Sequence, residues 1–323
     1  MKPYHRCRIG SETVACLGLS AACQRTLSFD RFRAGEVNRA RRTVLSAGGK
    51  AVNTGLALAL LRRPCVVAGL NGGDTGRFIA AHLAARGVTC AFTRTPWPTR
   101  TCTTILDRAG GHATELVEEA RRPTVELLRR FEARGRALLR RAGAGVICGT
   151  LPAGVPQNLW ARFAAEAQRA RVPLVIDSHA APLLRALDGK PLLAKMNVRE
   201  LEMTFARVCP TEAQIMATAR RLTAAGAVWA LITRGPQPAI LVSRAGEVWR
   251  VSPPKVEAVS PIGSGDCVNA GLVDALLNGE AMPDAVRFGL GCGSANALTS
   301  TPAEFCPVIA RKLAAACCVE RIR

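Results

Sequence analysis

The run PIGSGD at 261–266 places a carboxylate, Asp266, directly behind two glycines and a serine. The residues after it, CVNAGLVDALLNG, put Val268, Leu272, Ala275 and Leu276 on one helical face, and Asn278 with Gly279 makes a natural helix stop. The residues before it, 255–259, are strand-like. A glycine-rich turn between a strand and a helix start aims backbone N–H groups at one point, where the helix dipole adds partial positive charge. Gly263, Ser264 and Gly265 would form a pocket there for phosphoryl oxygens, and Asp266 could take the proton of an attacking hydroxyl. The plainer alternative makes Asp266 the N-cap of an ordinary helix.

Three more runs could do chemistry with it. In AGGKAVN at 47–53, Gly48 and Gly49 precede a helix, Lys50 offers a point charge to a phosphate, and Asn53 can hydrogen-bond sugar hydroxyls. A solvated Lys and a capping Asn are the alternative. In KMNVRE at 195–200, Asn197 and Glu200 lie three apart on one helix face and could hold a hydrated Mg²⁺, or simply form a capping box. In TRT at 99–101, Arg100 offers a fork for a substrate phosphate, or faces solvent. The four histidines, at 5, 82, 112 and 179, stand beside none of these runs, and no Ser/His/Asp or Cys/His set is suggested.

These residues need a frame. From about 144 onward, short apolar runs alternate with helical stretches: strands at 145–149, 172–177, 192–196 and 227–233, helices at 156–170, 180–187 and 211–225. That alternation predicts an α/β fold with a mostly parallel sheet covered by helices on both faces. Residues 26–46 and 95–120 are polar and β-leaning, without helical periodicity; they predict a small β-rich lid made of two insertions, or plain surface hairpins. One domain over 1–323 is expected.

Composition narrows the classes. Of 323 residues 49% are hydrophobic, enough for a sizeable core, and only 4% are aromatic. No apolar run is long enough to cross a membrane, and the first residues lack a secretory signal, so a reducing, cytoplasmic setting is expected. The 13 cysteines are scattered without a CxxC pair, which suggests neither a zinc site nor a disulfide framework. The net charge of +20 has three readings: nucleic-acid binding, anionic substrates, or arginines on solvated helix faces. The arginine-rich stretch 121–141 repeats around an amphipathic helix, and no nucleic-acid module is recognisable, so no specific nucleic-acid partner is expected.

Taken together and in order, the motifs resemble the phosphofructokinase-B branch of the ribokinase-like superfamily, nearest to its 1-phosphofructokinase and tagatose-6-phosphate kinase group. The resemblance runs from about 14 to 314 and rests on GEVNRA (35–40), AGGKAVNTGLAL (47–58), GLNGGDTGRFI (69–79), TRTCTTILD (99–107), ATELVEE (113–119), GTLPAGVP (149–156), NVRE (197–200) and PIGSGD (261–266). It implies an ATP-dependent kinase of a ketohexose phosphate: fructose 1-phosphate, fructose 6-phosphate or tagatose 6-phosphate. It implies Asp266 as catalytic base with Gly263, Ser264 and Gly265 as anion hole. Gln24, Gly49, Lys50, Asn53 and Arg100 would face the sugar phosphate. Lys195, Asn197, Thr233, Gly235, Gly265 and Asn296 would face ATP, and Asn197 with Glu200 would organise Mg²⁺ through water. It also implies a homodimer through the lid strands.

Three departures stand out. Gln24 occupies the position where the group usually has a sugar-binding Asp, so the amide offers donor and acceptor where a carboxylate offers only acceptors. Pro238 replaces a common Gly, and Met196 stands where Pro is common. A kinase for a neutral sugar or nucleoside, or a catalytically weak sugar-phosphate-binding protein that kept the fold, are the competing functions.

Overall fold

The computed structural model describes residues 12–322. Its first half builds one edge of a large sheet and the lid: β1 (Val14–Leu17), β2 (Ala22–Phe29), β3 (Arg42–Gly48), α1 (Lys50–Leu60), β4 (Cys65–Ala68), β5 (Leu70–Gly72), α2 (Gly73–Ala84), β6 (Thr89–Cys90), β7 (Thr93–Thr95), β8 (Thr101–Asp107), β9 (His112–Val117) and α3 (Val125–Leu139). The rest continues the sheet with helices between: β10 (Ala144–Cys148), α4 (Leu159–Ala170), β11 (Leu174–Asp177), α5 (Ala180–Ala186), β12 (Leu193–Asn197), α6 (Val198–Phe205), α7 (Glu212–Ala224) and β13 (Trp229–Arg234). β14 (Gln237–Ser243), β15 (Val248–Ser252), α8 (Ser264–Leu277), α9 (Met282–Ala297), α10 (Pro307–Ala315) and β16 (Cys318–Arg321) complete it.

Ten strands form one sheet in the order β16-β15-β14-β13-β12-β11-β10-β1-β4-β6. It is parallel from β6 through β13 and antiparallel from there to β16. The central parallel strands β1, β10, β11 and β12 are wholly or nearly buried, as strands covered on both faces must be. One core joins the sheet to α1, α2, α8, α9 and α10. The other joins it to α3, α4, α5 and α7, with Phe131, Trp160 and Phe163 at its centre. The chain leaves β1 first for β4 on one side and later for β10 on the other. Ligands of open α/β sheets bind at such a reversal, beyond the carboxyl ends of the strands.

The two β-leaning segments pair as expected. β3-β2-β8-β9 form a separate four-stranded sheet, with β2 and β8 parallel. The stretch 30–41 between β2 and β3 is irregular rather than strand. Residues 255–259 are not a strand either. Pro253 and Pro254 lack N–H donors and end β15, and the chain then crosses to α9, where Val259 and Ser260 donate to Ala297 O at 2.7 and 3.1 Å. Cysteines agree with a thiol-based interior: those described are all free and most are buried. No helix among the described residues is long and apolar enough to cross a membrane.

Candidate active site

Two helix starts face each other over the sheet. Gly49 has φ 100°, and a Cβ there would lie 2.5 Å from Ser20 O, so only glycine lets α1 begin at Lys50. Asn53 thereby falls one turn into α1. Gly263 has φ 80° and caps α8, whose first residues are Ser264, Gly265 and Asp266. Asp266 is therefore not the N-cap; it sits in the first turn, 5% exposed. Asn53 Nδ2 donates to Asp266 Oδ2 at 2.7 Å and joins the two helices at the carboxylate.

Beneath Asp266 lies an ion cluster. Asp177 ends β11, is 1% exposed, and accepts from Lys195 Nζ at 2.5 Å, Asn269 Nδ2 at 2.8 Å and Lys50 Nζ at 3.1 Å. Lys50 also reaches Glu200 Oε1 at 3.1 Å. Its ammonium is thus shared between two carboxylates, with one N–H left for a ligand. A Cβ on Gly265 would lie 3.2 Å from Lys195 Nζ, so that ammonium sits beside the first N–H groups of α8. Positive charge and helix dipole converge on one spot.

Burial, and then the nearby charge of Asp177, push the Asp266 carboxyl up to about 7, against the pull of Lys50, the Asn53 hydrogen bond and Lys195. Burial works against ionisation of Asp177 too, but the two lysines outweigh it and hold that carboxyl well below the usual range. Asp177 in turn raises Lys50. Two carboxyls are thus driven apart, one fixed as an anion and one poised to exchange a proton near neutrality.

Were Asp266 the group that takes the proton of a reacting hydroxyl, kcat would show a rising limb near pH 7, because only its ionised form can accept one. The Asn53 hydrogen bond favours the ionised form, so Asn53→Leu should move that limb to higher pH. kcat at saturating substrate across the pH range checks this, and an unmoved limb would reject the coupling.

All these groups except Asn269 line one cavity of about 700 Å³. The lid closes one side with Gln24, Cys102, Glu115 and Val117; Thr233, Gly235 and Pro236 of the β13–β14 turn, Pro253, Val256, Leu290 and Gly293 make an apolar far end. Arg100 lines it from just before β8, with its guanidinium on Ser20 O at 3.0 Å and Glu118 O at 2.7 Å and Nε buried without a partner. Asn197 and Glu200 line it as well and form the capping box of α6, each side chain bonding the other's backbone N–H at 2.9 Å. The capping-box reading of that pair holds. The described residues contain no cluster of three or more His, Cys, Asp or Glu suited to a metal.

Asn296 differs from expectation. It is 1% exposed and does not line the cavity. Its Nδ2 donates to Ile262 O and Ser264 Oγ at 2.9 and 3.0 Å, and its Oδ1 accepts from Ala303 N at 2.7 Å. It holds the glycine turn in shape from behind. Sequence reasoning missed Asp177, Asn269 and His179. The first had a signal, a carboxylate closing a buried parallel strand. Asn269 lies one turn beyond Asp266 on α8, and His179 Nδ1 comes within 3.8 Å of Glu200 only through the turn after β11.

The family model of the pfkB family carbohydrate kinases matches residues 11–308. A 1-phosphofructokinase of Borreliella burgdorferi is 30% identical over 291 residues, 90% of this chain and 93% of that protein. A 1-phosphofructokinase of Rhodobacter capsulatus is 31% identical over 283 residues, covering 86% and 89%. A crystal structure of a possible 1-phosphofructokinase from Thermotoga maritima superposes with a TM-score of 0.88 at 22% identity, over 96% of this chain and 100% of that one, and shares the ribokinase-like fold. The chain belongs to the pfkB family of carbohydrate kinases.

Proposed function

We propose that the protein transfers the γ-phosphoryl group of ATP to a hydroxyl of a ketohexose monophosphate and releases ADP and a ketohexose bisphosphate. The observation that carries this reading is a buried carboxylate poised near pH 7 in the first turn of a glycine-capped helix, with Lys195 beside it and sugar-sized polar groups across the same cavity. The curated relatives named 1-phosphofructokinase supply the substrate class.

In this reading the acceptor hydroxyl lies against Asp266. As its oxygen attacks the γ-phosphorus, its proton passes to the carboxylate, and the bond from phosphorus to the ADP oxygen breaks. The N–H groups of Ser264 and Gly265 and the Lys195 ammonium receive the charge on the phosphoryl oxygens. Asn53 holds both Asp266 and the sugar, its Oδ1 being buried without a protein partner. Arg100 keeps an unpartnered Nε for the phosphate already on the sugar, and Lys50 keeps one N–H for it. The apolar end by Val256, Leu290 and Gly293 suits a flat nucleotide base.

Glu200 and Asn197 fit a magnesium ion only through its waters, since their oxygens already serve the capping box and Lys50. When bound with the nucleotide, Mg²⁺ would neutralise phosphate charge. Unpaired, mostly buried cysteines suit a reducing cytoplasmic compartment. ADP release measured over fructose 1-phosphate, fructose 6-phosphate and tagatose 6-phosphate, with fructose and a nucleoside as comparators, tests the function. ADP formation with the comparators alone would overturn it.

The lid also supports a homodimer. Leu45 and Leu116 stand on its face away from the cavity, 48% and 54% exposed, on the two edge strands. Pairing two such faces would bury them. Sedimentation should show a dimer that Leu45→Glu with Leu116→Glu converts to monomer; a native monomer would reject the interface.

A further inference from the structure

Glu212, the first residue of α7, is shared by two arginines that stand on different strands, with β14 between them. Its Oε2 accepts from Arg234 at the end of β13 at 2.9 Å. Its Oε1 accepts from Nε and Nη2 of Arg250 on β15 at 3.0 and 2.5 Å. None of the three lines the cavity, but each arginine adjoins a segment that does. Arg234 stands between Thr233 and Gly235, and Pro253 and Val256 follow Arg250 where β15 ends. The backbone around the β13–β14 turn is short of fastenings of its own. Ile232 pairs with Ile240 and Arg234 with Gln237, so Thr233 stands opposite two residues, Pro238 and Ala239. Pro236 and Pro238 have no N–H to donate, and Gly235 turns with φ 60°. Across that bulge Arg234 also donates to Pro238 O at 3.3 Å.

We propose that Glu212 is a positioning residue for the nucleotide: through Arg234 and Arg250 it fixes the β13–β14 turn against the exit of β15, and so sets the width of the apolar end of the cavity. A charge-assisted bond at each carboxylate oxygen holds its arginine more strongly than a neutral one would. The start of α7 favours the anion that both arginines need. The hydrogen bond from Arg250 and then the other contacts with the two arginines hold the Glu212 carboxyl below its ordinary range, against its burial. The two arginines depend on it unequally. Arg250 has a second anion, Glu320, at 2.8 Å, whereas Arg234 pairs with no other carboxylate among the described residues. Loss of the Glu212 charge therefore releases the turn and leaves β15 held. Asn53 and Arg100, the groups facing the sugar phosphate, stand on α1 and at the foot of the lid and are untouched by it. The inference rests on the kinase reading above, which seats the nucleotide base at the apolar end.

Steady-state kinetics of the full chain, with calorimetric binding of ADP beside them, test it. Glu212→Gln keeps the volume and one acceptor but turns an NH₂ group toward an arginine. Its KM for ATP should rise about 5- to 20-fold, while kcat at saturating ATP and the KM for the sugar phosphate stay within about 2-fold of native. ADP binding should weaken in parallel. Arg234→Met should reproduce the rise, and the double variant should add little to it, because both substitutions break one contact. A native KM for ATP in Glu212→Gln, even with a lowered melting temperature, would overturn the proposal and leave Glu212 a support of the fold alone. Equal rises in both KM values would overturn it as well, as would fully additive effects of the two substitutions. Should Glu212→Gln fail to fold, Arg234→Met decides by the same split between the two KM values. A native protein that releases ADP with a sugar phosphate while these variants keep its KM for ATP sinks the inference alone. One that releases no ADP with any sugar phosphate sinks the kinase reading with it.

Discussion

Asp266→Asn is expected to lower kcat by about 10²- to 10⁴-fold with a much smaller change in the KM for sugar. Asparagine keeps the shape and an acceptor for Asn53, but it cannot take the proton of the attacking hydroxyl. The same variant should be more stable than the native protein. Burial and Asp177 raise the folded-state pKa of Asp266 to about 7, while an unfolded chain ionises near the ordinary value of about 4. Between those two values the folded state holds a proton that the unfolded state has lost, so stability falls as pH rises. Above 7 the cost of the buried charge is complete. A neutral asparagine carries none of it. The melting temperature of Asp266→Asn should exceed the native value at pH 8, where the buried charge costs on the order of a few kcal/mol, and match it near pH 4. Near-native turnover would remove Asp266 from the base's role. Equal melting temperatures at pH 8 would mean that the carboxylate is better solvated than its burial implies.

The second large effect is expected at Asp177, which should cost stability rather than supply it when substituted. Asp177→Asn leaves Lys195, 3% exposed, without its anion, at a cost of about 3–5 kcal/mol. The sign with pH is opposite to that of Asp266. The folded pKa of Asp177 is held below its unfolded value, so its contribution is present above about 4 and lost in acid. The gap between native and variant should therefore be widest at neutral pH and close as pH falls. A second readout separates this from ordinary core damage. Asp177 is one of the charges that raise Asp266, and its removal should shift the rising limb of kcat to lower pH. Denaturant unfolding and a pH–rate profile measure the two arms, and a destabilised variant whose limb stayed near 7 would reduce Asp177 to a structural group.

The site was legible where chemistry and local geometry share the same short run of residues. A glycine with positive φ before a helix, as at Gly49 and Gly263, is readable because few other residues enter that backbone region. The β–α alternation from 144 onward was readable for the same reason: period and length are local properties. What stayed hidden depends on which elements meet. The resemblance implied that Asn296 faces ATP, yet packing turns its amide onto the glycine turn. Lys50 looked like a free phosphate ligand, and only the fold shows that Asp177 and Glu200 already share it. The antiparallel edge β14–β16 was not anticipated because β16 comes from the last residues of the chain, far from its partner β15. The irregular path at 255–259 was a misjudged strand, since the two prolines just before it were the better signal.

The cluster under Asp266 also bears on how the chain reaches its native state. Its members come from α1, β11, β12, α6 and α8, and the contacts of Asp177 with Lys50 and Asn269 close sequence separations of 127 and 92 residues. Lys195 is the near partner, 18 residues away, reached when β11 and β12 pair. Each long closure costs chain entropy before any contact offsets it, so such contacts form late. During synthesis from the N-terminus, Lys50 emerges long before any of its partners, and Asn269 emerges last. The lysines and Asp177 thus remain hydrated until α8 docks, and the final docking both dehydrates the charges and completes the apparatus for phosphoryl transfer. Competence is consequently a property of the finished chain: a ribosome-bound or truncated protein lacking α8 can have most of its sheet in place and still possess no site at all.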